Sequence, residues 1–110
     1  MAIRFGVTLK AIRTANDMSV KEAAAGLGVT SNYICDCESE RKNLNLSIKS
    51  LEKMGEFYKF PCYKIIYVAE LQTEKKLSFA QTLFEVLKCY QETKEEEADK
   101  YAQFTSEKGL

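Results

Sequence analysis

SVKEAAAGLGVTSNYICDCES, residues 19–39, reads as two short helices around a tight turn. Ser19 suits an N-cap, and Glu22 three residues on completes a capping box. Ala23, Ala24 and Leu27 follow, small enough to let a second helix come close. Gly28 stands where a helix end needs a residue that tolerates positive φ. Val29 is an apolar plug, and Thr30 is placed to cap a second helix over Ser31–Glu38. On that helix Ile34 and Cys37 lie three apart and turn inward, which leaves Ser31, Asn32 and Asp36 on the opposite side.

Upstream, Ile3–Asn16 reads as a first helix with one apolar stripe, Phe5, Leu9 and Ile12. Asn16 and Asp17 end it with turn-forming residues, and Met18 takes the hydrophobic-staple position before the Ser19 cap. Downstream, Ser47 caps a helix over Ile48–Tyr58, in which Ile48, Leu51, Met54, Phe57 and Tyr58 are expected to close a core over the first three helices. Phe60-Pro61 marks a boundary, because the residue before proline is pushed away from helix. The β-branched and aromatic residues of CYKIIYVAELQ, residues 62–72, suit a strand, whereas the spacing of Cys62, Ile65 or Ile66, and Ala69 suits a helix. Thr73–Leu77 reads as a polar connector. Ser78 and Gln81 form a second capping box, opening a long helix to about Gln103. Its stripe, Phe79, Leu83, Val86 and Tyr90 widened by Phe84 and Leu87, must bury itself against its own subunit or a second copy.

The ordered set Ala23, Gly28, Val29-Thr30-Ser31 and Ile34, with Arg13 and Glu38 at matching positions, resembles the helix-turn-helix of the Cro/lambda-repressor-like (Xre-type) regulators over residues 3–60. The resemblance implies an all-α fold: a five-helix lambda-repressor-like DNA-binding domain with an added long C-terminal helix, divided into a helix-turn-helix domain over residues 1–60 and a C-terminal helical dimerisation extension over 61–110. It favours a helix over 62–72. It also implies that Arg13 pairs with Glu38, tying helix 1 to the recognition helix, and that the recognition helix enters the major groove. There Asn32 can make a bidentate contact to adenine. Ser31 can bond a donor or an acceptor, and Tyr33 can reach phosphate or a thymine methyl. Asp36 can only accept. Thr30 stands at the helix N-terminus, and Lys10, Lys21 and the basic tip Arg41, Lys42 and Asn43 would supply the backbone contacts. Three features depart from the family's pattern. Val20 replaces its usual glutamine, Glu40 stands where it has glycine, and Thr30–Ser39 holds no Lys or Arg.

Composition sets bounds on this reading. The 110 residues carry zero net charge and are 45% hydrophobic, so one core can form. Residues 1–60 hold 9 Lys/Arg against 7 Asp/Glu, and residues 61–110 hold 7 against 9, a slight basic bias at the end expected to meet phosphate. The N-terminus MAIRFGVTLK has no long apolar run, and no stretch reaches membrane-spanning length, so a cytoplasmic protein is expected. Cys35, Cys37, Cys62 and Cys89 match no metal or redox spacing, and there is no His; reduced thiols and no cofactor are the expectation. With no phosphate loop and no nucleophile motif, no enzyme is expected.

The expected function is therefore a sequence-specific transcriptional regulator, by resemblance a phage or mobile-element repressor, that binds a palindromic operator in double-stranded DNA as a homodimer. No small-molecule ligand is evident. Phe79, Leu83, Val86, Leu87 and Tyr90 are the expected dimer interface. The alternative is a helix-turn-helix protein–protein module such as an antirepressor, an antitoxin-like partner or a nuclease inhibitor.

Overall fold

The computed structural model describes residues 3–39 and 46–92, and these contain helices and no strand. The helices are α1 (Gly6–Ala15), α2 (Val20–Leu27), α3 (Ser31–Glu38), α4 (Ile48–Tyr58), α5 (Cys62–Lys75) and α6, which covers 79–92 of the described residues. Four starts follow from a local cap. The hydroxyls of Ser19, Thr30, Ser47 and Ser78 each accept the amide N–H three residues on, at 3.1, 3.1, 3.1 and 3.2 Å. At α2 and α6 the box is reciprocal, because Glu22 and Gln81 accept from the amides of Ser19 and Ser78.

α1 begins three residues later than Ile3. The Arg4 amide donates to the Thr73 hydroxyl at 3.0 Å, so the segment before α1 is fastened to α5 instead of continuing the helix. The helix option over 62–72 is the one adopted, and α5 runs on to Lys75, shortening the expected connector. Gln72 closes the turn that follows: its carbonyl accepts the Leu77 amide, and its side-chain amide donates to the Leu77 carbonyl, both at 3.1 Å.

Geometry bears on the glycines: at Gly6 and Gly55 a Cβ would meet the backbone carbonyls of Glu38 and Phe60. Gly28 ends α2 at φ 71°, in the left-handed region. Gly26 lies on α2 where any Cβ would run into the ring of Phe57 on α4. The absence of a side chain there lets α2 and α4 pack.

A single core joins all six helices. Leu9 and Ile12 of α1, Ala23, Ala24 and Leu27 of α2, and Ile34 of α3 meet Leu51, Met54 and Tyr58 of α4, and the cluster continues without a break through Phe60, Ile65 and Val68 to Val86 of α6. Burial pushes the Tyr58 phenol up to about 12. Helices α1–α4 therefore share one core with α5 and α6, and Phe60, next to the half-buried Pro61, is part of it. Ile48 departs from expectation: the first residue of α4 is exposed and lies outside the contacts made by Leu51, Met54 and Tyr58.

The expected dimer stripe is mostly internal. Val86 is 0% exposed, and Leu83 and Tyr90 pack against the same core. The Tyr90 hydroxyl donates to the Tyr58 carbonyl at 2.6 Å and accepts from the Asn16 side-chain amide at 2.9 Å. Its ring meets Phe60 edge to face, with centroids 5.1 Å apart. Val86 thus belongs to the subunit's own interior, with Leu83 and Tyr90 half-buried against it. Of the expected set, Phe79, with Lys10 of α1 over its ring, and Leu87 are exposed.

Thr8 on α1 is fully buried, and its hydroxyl is the buried side-chain polar atom without a hydrogen-bond partner among the described residues. An unpaired buried hydroxyl costs about 1–3 kcal/mol. Thr8→Val, nearly the same shape, is expected to raise stability by about 1 kcal/mol. Urea unfolding reads this, and a destabilised variant would contradict it.

Candidate nucleic-acid interface

The turn after Gly28 sets α3 across α2, and α1 packs against α3 from the other side. Ile34 and Cys37 are buried in those contacts. The opposite face of α3 is left clear of the core. Asn32 and Cys35 on that face are exposed, and Asp36 is half-buried. These three positions fall at i, i+3 and i+4, one patch of a helix surface. Ser31 is half-buried beside them, and Thr30 is exposed with its hydroxyl accepting from the Tyr33 amide.

Tyr33 does not join that face. Its phenol is half-buried and engages the Cys37 thiol and the Ser50 side chain, and burial raises its pKa. The phenol expected to reach phosphate or a thymine methyl thus lies half-buried between α3 and α4. The i, i+4 relation of Tyr33 to Cys37 carried the signal for this. Cys35, which the sequence reading left out of the site, takes the outward place instead. Its neighbour Cys37 is buried, and burial lifts that thiol's pKa.

One pair fixes how α3 is held. Arg13 Nε and Nη2 donate to the two carboxylate oxygens of Glu38 at 2.8 and 3.0 Å, and Nη1 donates to the Met18 carbonyl at 2.7 Å. The two side chains are 13% and 9% exposed. The hydrogen bond that Arg13 donates to Glu38 pushes the Arg13 pKa further up, against the opposing effect of burial. A single guanidinium thus ties α1, the turn into α2 and the C-terminal end of α3, with the fork geometry that arginine supplies and lysine does not.

The cations are less gathered than the sequence suggests. Lys21 is exposed in the first turn of α2. The Lys10 ammonium lies 5.4 Å from the ring centroid of Phe79, at the α1–α6 seam. Arg41, Lys42 and Asn43 lie outside the described residues. The first turn of α3 carries no acidic residue, so its free amide groups present the positive end of the helix dipole.

Elsewhere, a cleft of about 230 Å³ between α5 and α6 sets Lys64 and Lys88 against Glu85 and Glu92. The Lys64 ammonium donates to the Cys89 carbonyl at 3.3 Å. Among the described residues no three His, Cys, Asp or Glu side chains come together as metal ligands, and no helix is long and apolar enough to cross a membrane. No protein-family model matches the chain, and neither a curated protein nor a solved structure matches it.

Proposed function

We propose that α1–α5 form a lambda-repressor-like helix-turn-helix domain and that the protein is a sequence-specific DNA-binding regulator, acting as a repressor on a palindromic operator. The observation that carries this reading is α3 itself. It is a capped helix of two turns, set across α2 by a left-handed Gly28 and locked by Arg13–Glu38, with Asn32 exposed on the free face. Such a helix can lie in a major groove with its first residues at base edges. A mobility shift with folded protein at low salt, on the DNA upstream of its own coding sequence and on random duplexes, tests it. No shift on either sinks the reading. Asn32→Ala is expected to lose about 1–3 kcal/mol on the specific site and to relax discrimination at one base pair. Equal losses on specific and non-specific DNA would remove Asn32 from the groove.

A palindromic operator calls for a twofold dimer. With Val86, Leu83 and Tyr90 packed on the subunit's own core, the second copy has Phe84 and Leu87 of α6, 65% and 49% exposed, to pack on. Phe84→Glu with Leu87→Glu is expected to give a folded monomer in sedimentation with weakened operator binding. A dimer that persists unchanged places the interface elsewhere.

The same surface supports a second reading, a protein–protein module. Lys10 lies over Phe79, and α3 presents Asp36 and no Lys or Arg. Capture of one stoichiometric protein through the Asn32 face, with no DNA shifted at low salt, would favour it.

A further inference from the structure

α6 carries two stripes. Leu83, Val86 and Tyr90 of the inward one pack on the subunit's own core. The second, Ala80, Phe84, Leu87 and Gln91, is exposed along its whole length, and Phe84 and Leu87 are its widely open apolar members. Its spacing is four, three and four, and half-buried Leu77 extends it by three at the turn before the helix. That alternation is the seam of a helix pair, in which each side chain packs among those of a facing helix. A groove of about 350 Å³ lies beside Phe84, lined by Leu77, Ala80, Gln81 and Glu85.

A projecting ring and a groove on one patch suit a second copy of this chain, because in a twofold contact the same surface must serve as both halves. The chain has zero net charge, so no overall repulsion keeps two copies apart. Direction and register follow from the seam. In a parallel pair each residue meets its own copy, which sets Phe84 against Phe84 and buries the Gln91 amide against itself. An antiparallel pair with its twofold axis at Thr82 sets Phe84 over the partner's Ala80, large on small, and Leu87 over the partner's Leu77. All four apolar residues of the seam are then covered, and Gln91 falls beyond it in water. Moving the axis to lie between Phe84 and Leu87 would instead place Gln91 over the partner's Ala80 and leave Leu77 outside.

We propose that α6 pairs antiparallel with α6 of a second copy, each Phe84 ring seating in the other copy's groove over Ala80 and beside Leu77. The inference deepens the dimer invoked above and rests on it, but not on any contact to DNA.

Sedimentation of the full chain, without DNA and under reductant, tests it. The wild type is expected to pass from monomer to dimer as concentration rises. Phe84→Ala is expected to raise the dimer dissociation constant at least about tenfold, because the ring is lost from both halves of the contact. Ala80→Glu, also at an exposed position, is expected to give a monomer with unchanged circular dichroism, since its carboxylate would lie under the partner's Phe84. Direction is read by spin labels on single cysteines placed at Gln81 or Gln91 in a Cys35→Ser, Cys62→Ser protein. Labels at Gln91, nine residues from the axis in each copy, are expected about 27 Å apart along the helices, and labels at Gln81 far closer. Close labels at Gln91 would mean a parallel pair and overturn the proposal. So would a wild type that stays monomeric at every concentration, or a dimer that Phe84→Ala leaves unchanged. DNA binding is a separate readout. A monomer that shifts its operator removes this inference and keeps the regulator, whereas a dimer of this geometry that shifts no duplex keeps the pairing and removes the operator reading.

Discussion

A chain ended at Leu77 is expected not to fold cooperatively. The truncation removes Thr82 and Val86, both fully buried, and Cys89, nearly so, from the core. It also removes the Tyr90 hydroxyl from between the Tyr58 carbonyl and the Asn16 amide, and the Tyr90 ring from Phe60. Phe60, Ile65 and Val68, which share the cluster with Val86, would then face water. Each large apolar side chain that loses its cover forfeits about 1.5–3 kcal/mol. Several together rival the whole stability of a small domain, about 5–15 kcal/mol. Val86→Asp puts the same claim to a point test. A carboxylate placed at a 0% exposed position is expected to cost more than about 4 kcal/mol. Leu87→Ala, one residue along on the exposed side, should stay within about 0.5 kcal/mol in the monomer. Circular dichroism on heating and in urea distinguishes these cases. A sharp transition from the 1–77 fragment would show that α6 only covers a core complete without it.

That expectation reverses what periodicity alone suggests, and the reversal shows where sequence reading stops. The caps at Ser19, Thr30, Ser47 and Ser78 were legible because donor and acceptor sit three residues apart, within one turn of chain. Gly28 was legible because few other residues tolerate its φ. The apolar stripe of α6 was legible as a stripe, since Val86 and Tyr90 do share its inward side. Whether that side meets its own subunit or a second copy is set by contacts such as Asn16–Tyr90, 74 residues apart in the chain. No local pattern encodes such a meeting. The place of Lys10 is set in the same way: α1 leaves it exposed, and Phe79 comes from far along the chain to lie beneath its ammonium. Residues 62–72 were ambiguous because β-branched and aromatic side chains fit a strand as well as a buried helix, and packing on α1 and α4 decided for the helix. The Arg13–Glu38 pair came from the family resemblance and not from spacing.

Arg13→Met is expected to destabilise the fold by about 3 kcal/mol, within the range for breaking a buried ion pair by removing one partner. The methionine keeps much of the arginine stem's volume, so the loss isolates the guanidinium. It leaves the Glu38 carboxylate, 9% exposed, and the Met18 carbonyl without their donors. An uncompensated buried charge costs more than the pair itself contributes. Replacing both residues, Arg13→Met with Glu38→Leu, is therefore expected to cost less than Arg13→Met alone, because no charge is left stranded. Urea unfolding of the wild type, the two single variants and the double variant gives the coupling directly. A loss below about 0.5 kcal/mol in Arg13→Met would class the pair with ordinary surface charges, and α3 would then be held by Ile34, Cys37 and the Tyr33 contact to α4. If the pair does orient α3, the double variant should recover stability without recovering operator affinity, because apolar side chains can fill the space but cannot fix the angle of the helix.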